Sequence, residues 1–73
     1  MTREEHLEWA KMRALEYLDV GDTKQAFTSM MSDLSKHPEL KNHAGMRIGT
    51  GFMLLPGWIN NSNEIRRWIV GFN

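Results

Sequence analysis

Gly21 and Asp22 separate two stretches of helical periodicity, and this arrangement constrains the fold more than any other feature of the chain. On both sides of them, apolar side chains recur at steps of three and four residues, which is typical of one face of a helix. The link Val20–Thr23 is short, so the two predicted helices must lie antiparallel. The predicted apolar faces are Leu7, Ala10, Ala14, Tyr17 and Leu18 in the first helix, and Ala26, Phe27, Met30, Met31 and Leu34 in the second.

The ends of these two helices carry residues that favour helix termini. Thr2 and Glu5 have the spacing of a capping box at the start of the first helix. Gly21 is predicted to end it in the left-handed conformation, and either Asp22 or Thr23 then caps the second helix. Pro38 marks the end of the second helix, because the residue before a proline avoids the helical region. The residues expected on its outer polar face are Lys24, Gln25, Asp33 and Lys36.

A third helix is predicted at Ala44–Leu55, although it contains three glycines. Each interior glycine costs a helix about 1 kcal/mol relative to alanine. Gly45 and Gly49 are four residues apart and share a face, so we expect another helix backbone to approach there. The alternative is that the helix is short or frayed at this point. Its expected apolar stripe is Ile48, Phe52 and Leu55.

Pro56 and Gly57 break the chain before a fourth predicted helix, which either Asn61 or Ser62 caps. One face of this helix is apolar (Ile65, Trp68, Ile69 and Phe72), and the opposite face carries Arg66 and Arg67. No segment shows the alternation of a β-strand. The sequence therefore predicts one all-α domain over residues 1–73, built as a small four-helix domain of two antiparallel helical hairpins.

The central segment from Ala14 to Pro38 resembles a tetratricopeptide repeat. The residues at matching spacings are Ala14, Tyr17, Gly21-Asp22, Ala26, Met30 and Pro38. Two positions depart from the repeat: Arg13 stands where it prefers leucine, and Asp33 where it prefers a small residue. The next segment does not repeat the pattern, and one hairpin is too few for a solenoid. The resemblance implies a first hairpin that is tetratricopeptide-repeat-like.

The chain as a whole is similar to small uncharacterised proteins of actinobacteriophages. The segments TREEHLEWAKMRALEYLD, SDLSKHPE and EIRRWIVGFN carry this similarity across most of the length. The resemblance implies a phage origin and a role directed at the host or at virion assembly, and it implies no enzymatic activity.

The residues that commonly perform catalysis or bind metals are absent or poorly spaced. There is no cysteine, and no two of His6, His37 and His43 have the spacing of metal ligands. The glutamates of the first helix, Glu4, Glu5 and Glu8, are explained by the helix dipole. We therefore expect no enzyme, no cofactor and no metal. The charged start and the short apolar runs exclude a signal peptide and a membrane span, so we expect a protein of the cytoplasm with no membrane partner.

Two sets of residues remain as candidates for binding a macromolecule. The first is aromatic-rich and exceeds what a core of this size requires, which favours a protein partner, either a host factor or a second copy. The alternative is that these residues complete the core of a short chain. They are Trp9, Met12, Trp58, Trp68 and Phe72.

The second candidate set is basic and could contact nucleic-acid phosphates. It consists of Lys36, Lys41, Arg47, Arg66 and Arg67. The chain has no net charge, with nine basic and nine acidic residues, and it lacks the spacing of a helix-turn-helix motif. A small nucleic-acid-associated regulator is therefore the second functional hypothesis, and a minor virion or assembly component is the third.

Overall fold

The computed structural model describes residues 2–73 and shows an all-α domain. Within these residues there are four α-helices, one short 3-10 helix and no strand. The elements are α1 (Arg3–Asp19), α2 (Thr23–Ser35), α3 (Ala44–Phe52), the 3-10 helix Trp58–Asn60 and α4 (Ser62–Val70). The Cα radius of gyration is 11.3 Å, close to the value of about 11 Å expected for a folded chain of this length. Met1, which the predicted domain includes, lies outside the described residues.

The predicted caps of α1, α2 and α4 and the left-handed conformation of Gly21 are confirmed. Thr2 and Glu5 form a reciprocal capping box, with the Glu5 N–H donating to Thr2 Oγ1 at 3.1 Å and the Thr2 N–H donating to Glu5 Oε1 at 3.0 Å. These hydrogen bonds from Thr2 favour the carboxylate and lower the pKa of Glu5 below its ordinary value. Gly21 has a φ of 80°, and the side chain of Asp22 caps α2. Asn61 caps α4.

Helices α1 and α2 make the most extensive helix–helix contact of the domain. Small alanines lie on both sides of this contact and are fully buried, which lets the two backbones approach closely. Tyr17 and Met31, which were predicted to be buried, are only partly so. The residues that the hairpin does bury are Leu7, Ala10, Ala14 and Leu18 from α1, and Ala26, Phe27, Met30 and Leu34 from α2.

The prediction that Asp33 lies on the outer face of α2 is wrong, because its side chain is only 2% exposed. A buried carboxylate must be compensated by charge and hydrogen bonds. Arg13 Nε lies 2.9 Å from Asp33 Oδ2, and Lys36 Nζ lies 3.6 Å from Oδ1. Ser29 Oγ donates to the same carboxylate at 3.4 Å. Arg13 and Asp33 therefore pair with each other across α1 and α2.

Helix α3 also differs from its prediction, in both its end and its orientation. It ends at Phe52 rather than Leu55. Ile48 and Leu55, which were expected to be buried, are 51% and 52% exposed. Met46 and Gly49 are the buried positions of α3 instead.

The glycine face of α3 explains this orientation. A Cβ atom at Gly45 would lie 2.6 Å from Phe72 Cε1, and one at Gly49 would lie 2.6 Å from Trp68 Cζ2. The indole N–H of Trp68 donates to the Gly45 carbonyl oxygen at 2.9 Å. The prediction that another helix backbone approaches these glycines is wrong, because the rings of Trp68 and Phe72 occupy that space. Since the glycine face turns inward to receive the rings, Ile48 turns outward.

An aromatic cluster joins the second half of the chain to the α1–α2 hairpin. The ring centroid of Phe27 on α2 lies 5.6 Å from that of Trp58 and 5.0 Å from that of Trp68. The ring centroid of Phe72 lies 5.1 Å from that of Trp68, in an edge-to-face arrangement. Such distances are typical of favourable aromatic pairs. Leu40, in the turn between α2 and α3, is also fully buried.

Replacing Gly49 with alanine should destabilise the domain, because the added methyl group would collide with the buried ring of Trp68. We expect the free energy of unfolding to fall by about 1–3 kcal/mol. Gly51→Ala is the matched control, since a Cβ atom at Gly51 meets no atom within 4 Å. It should leave stability unchanged or raise it by up to about 1 kcal/mol. Urea unfolding of both variants measures the difference, and equal effects would contradict the close packing of Trp68 on α3.

Candidate interaction surface

Three of the five residues predicted to bind a partner lie in the core. Trp58, Trp68 and Phe72 are 7%, 8% and 3% exposed, so they offer almost no area to another molecule in this fold. Trp68 and Phe72 are buried because they pack against the glycines of α3. The ring of Phe27 contacts both Trp58 and Trp68. The other interpretation of the aromatic residues, completion of the core, therefore applies to these three.

The remaining two, Trp9 and Met12, lie on α1. Trp9 is partly buried, and the Arg13 guanidinium lies 5.0 Å from the centroid of its ring. The ring of His6 packs edge-on against it at 5.2 Å. Met12 is 62% exposed. Acidic side chains border the surface that Trp9 and Met12 form: Glu4, Glu5 and Glu8.

A more exposed apolar surface lies at the end of α3 and just beyond it. We call this surface the ridge and define it as Ile48, Met53, Leu54 and Leu55. Their exposed fractions are 51%, 57%, 84% and 52%. Sequence reasoning missed the ridge because it extended α3 through Leu55 and placed that stripe in the core. The run Phe52–Leu55 did indicate exposed apolar side chains, since one helix face cannot bury four consecutive residues.

An apolar groove of about 400 Å³ lies beside the ridge, between α3 and α4. Its lining includes Gly45, Trp68 and Phe72, which belong to the close packing described above. Ile48 of the ridge and the partly buried Phe52 also line it. The polar residues of its lining are His43, Glu64 and Arg67. Ridge and groove therefore share Ile48 of α3.

The ridge lies in a segment that carries only positive charge. No aspartate or glutamate occurs between Glu39 and Glu64, whereas Lys41 and Arg47 do. Arg47 is exposed and directly precedes Ile48. Neither Lys41 nor Arg47 has a carboxylate partner within residues 2–73.

The other three residues of the basic set are engaged in ion pairs. Lys36 pairs with the buried Asp33, Arg66 with Asp19, and Arg67 with Glu64, each at 3.6 Å. Exposed pairs of this kind are weak, but they lower the positive potential available to a phosphate backbone. The five basic residues therefore do not form a patch of free charge.

The three histidines take part in local hydrogen bonds. His43 Nδ1 accepts from the Gly45 N–H at 2.9 Å, so its Nε2 carries the proton and donates to the backbone oxygen of Asn73 at 2.8 Å. His6 Nε2 donates to the Asp33 carbonyl oxygen, and His37 Nδ1 accepts from the Glu39 N–H. These bonds give each ring a structural role. In the part of the chain that the structure describes, no three histidine, aspartate or glutamate side chains are grouped to hold a metal ion.

None of the helices within residues 2–73 has both the length and the apolar character needed to cross a bilayer. Comparison with protein-family models, with curated proteins and with solved structures finds no match for this chain. The interaction surface must therefore be interpreted from its own geometry.

The indoles of Trp58 and Trp68 are equally buried but differ in hydrogen bonding. Trp58 Nε1 is buried without a partner, whereas Trp68 Nε1 donates to Gly45. Trp58→Phe and Trp68→Phe remove the same atoms, yet only the second breaks a hydrogen bond. We expect Trp68→Phe to destabilise the domain by about 1–3 kcal/mol more than Trp58→Phe.

Urea unfolding followed by far-ultraviolet circular dichroism checks this prediction, because the peptide groups of the helices dominate that signal in both variants. Equal destabilisation by the two substitutions would contradict the assigned hydrogen bond of Trp68.

Proposed function

We propose that this protein is a non-enzymatic protein-binding domain and that the ridge is its contact surface. The observation that carries the proposal is the exposure of Met53, Leu54 and Leu55, three consecutive large apolar residues of which Leu54 is the most exposed. Isolated apolar residues on a surface need no explanation, but contiguous apolar patches mark interaction sites in soluble proteins.

Burial of the ridge in a complex would supply a useful free energy. Each of its side chains would contribute about 1–2 kcal/mol when removed from water. Arg47 and Lys41 are the only charged side chains of the surrounding segment, so an acidic or neutral surface with apolar groups fits the ridge best.

We further propose, from the resemblance of its sequence segments to small actinobacteriophage proteins, that the protein is of phage origin. A phage origin would make the partner a host protein, a virion component or a second copy, and would place the contact in the host cytoplasm. The ion pairs of Lys36, Arg66 and Arg67 make nucleic acid the weaker candidate. We therefore propose binding to protein.

Affinity capture from an actinobacterial lysate tests the proposed function. The bait is the wild-type chain, with Leu54→Glu as the variant of the ridge and Val20→Glu as the matched control. Val20 is 79% exposed and lies at the link between α1 and α2, outside the ridge. We expect proteins retained by the wild type and by Val20→Glu to be lost with Leu54→Glu, because a buried, unpaired carboxylate is costly in an apolar contact.

Circular dichroism and thermal unfolding first establish that both variants fold like the wild type. Retention of the same proteins by all three baits would contradict the ridge as the contact surface. Loss with Val20→Glu as well would show that capture depends on general hydrophobicity rather than on the ridge.

A further inference from the structure

We propose that the side of α3 turned to solvent docks an amphipathic α-helix of a partner protein, with carboxylates along one edge of that helix. We call this side the solvent face and define it as Ala44, Ile48, Gly51 and Leu55. The inference rests on the proposed function, since it names the kind of partner that binds there. It follows from the spacing of the exposed residues, from the charge beside them and from the glycine between them.

The residues of the solvent face recur with helical spacing, and all of them are exposed. Steps of four, three and four residues separate them, so they follow one side of a helix. The helical turn continues beyond the end of α3, because the Met53 N–H donates to the Gly49 carbonyl oxygen at 3.0 Å. The Leu55 N–H then donates to the Phe52 carbonyl oxygen at 2.9 Å. An apolar row of this shape is matched by a partner helix lying along it, with its own apolar residues at similar steps.

The charge beside the solvent face is positive and has no partner in the chain. Arg47 is exposed, directly precedes Ile48 and lies one helical turn from Gly51. It has no carboxylate partner within residues 2–73. No aspartate or glutamate occurs between Glu39 and Glu64, so this segment offers Arg47 none of its own. A carboxylate on the edge of the docked helix would complement this charge, and a lysine there would meet repulsion.

Gly51 leaves room in the middle of the solvent face for the backbone of a partner. Gly45 and Gly49 receive the rings of Phe72 and Trp68, whereas a Cβ atom at Gly51 would meet no atom within 4 Å. Its φ is not in the left-handed range either. An interior glycine destabilises a helix relative to alanine, and neither packing nor backbone conformation within the chain explains this one. A docked helix explains it, since small residues at a contact let two helix axes approach closely.

The same charges distinguish an acidic partner from a second copy of the chain. Two copies that packed through their solvent faces would both bring Arg47 to the contact. Neither would supply a carboxylate from the segment between Glu39 and Glu64. Like charges at a contact weaken it, so the helix of another protein is the better complement.

Titration calorimetry of the full chain with three synthetic peptides tests the charge of the partner. The peptides are helical, about 18 residues long, and share one row of leucines, but carry glutamate, glutamine or lysine along its edge. We expect the glutamate peptide to bind with a dissociation constant on the order of 50 µM, at least about tenfold tighter than the lysine peptide. In Arg47→Glu the order should reverse. Equal binding of the three peptides to the wild type would overturn the acidic partner.

Gly51→Gln tests the position of the docked helix, with Val20→Gln as the matched control outside the solvent face. Glutamine is a good helix former and meets no atom of the chain at its Cβ, so the variant should be at least as stable as the wild type in urea. Its side chain fills the space that the partner needs, so the glutamate peptide should bind at least about tenfold more weakly. Val20→Gln should bind it like the wild type. Unchanged binding by Gly51→Gln places the peptide elsewhere and overturns the inference.

Further outcomes separate this inference from the proposed function. If none of the peptides binds but lysate proteins are lost only with Leu54→Glu, the acidic helix is overturned and the protein-binding function stands. If no peptide binds and nothing is captured through the ridge, both are overturned. Sedimentation equilibrium of the protein alone tests the remaining occupant. A dimer that Gly51→Gln dissociates would assign the solvent face to a second copy and would also overturn the inference.

Discussion

The packing of Trp68 against α3 is the interaction on which the rest of the structure depends. Its ring occupies the space that a side chain at Gly49 would need, and its N–H is bonded to the carbonyl of Gly45. The same ring contacts Phe27 of α2, so one side chain connects α3 and α4 to the first hairpin. Because α3 presents its glycines to Trp68 and Phe72, it presents Ile48 to solvent. The exposure of Ile48 is thus a consequence of how the core is closed.

The pairing of Arg13 with Asp33 is the second constraint, and it acts between α1 and α2. Removing one partner from a buried ion pair typically costs about 3–5 kcal/mol, although the pair itself adds little to stability. The buried carboxylate of Asp33 is held by Arg13 of α1 and by Ser29 and Lys36 on its own side, so it links the two helices at one position. The ion pair gives the hairpin a specific alignment of its own.

Local signals in the sequence predicted much of the fold. The capping box of Thr2 and Glu5, the left-handed Gly21 and the cap at Asn61 depend on neighbouring residues, and all are confirmed. The apolar face of α4 was also predicted correctly, because its periodicity is strong. The burial of Asp33 and the orientation of α3 were not predicted, since both depend on contacts between residues distant in sequence.

The same distinction between local signals and contacts distant in sequence explains which parts of the candidate surface could be predicted. Residue type alone marked Trp58, Trp68 and Phe72 as binding residues, but only their neighbours in space decide that they are buried. The ridge was partly visible in the run from Phe52 to Leu55. The groove was not, because its lining combines residues of α3 and α4. The proposal that the ridge binds a protein rests on its exposure and on the charges around it.

The most direct test of the central claim, that Trp68 packs on the glycine face of α3 and so turns Ile48 outward, is a nuclear Overhauser spectrum of the isotope-labelled protein. The account predicts cross-peaks from the indole ring protons of Trp68 to the Hα protons of Gly49, and from the ring protons of Phe72 to those of Gly45. Absence of these cross-peaks in the folded protein would contradict the account.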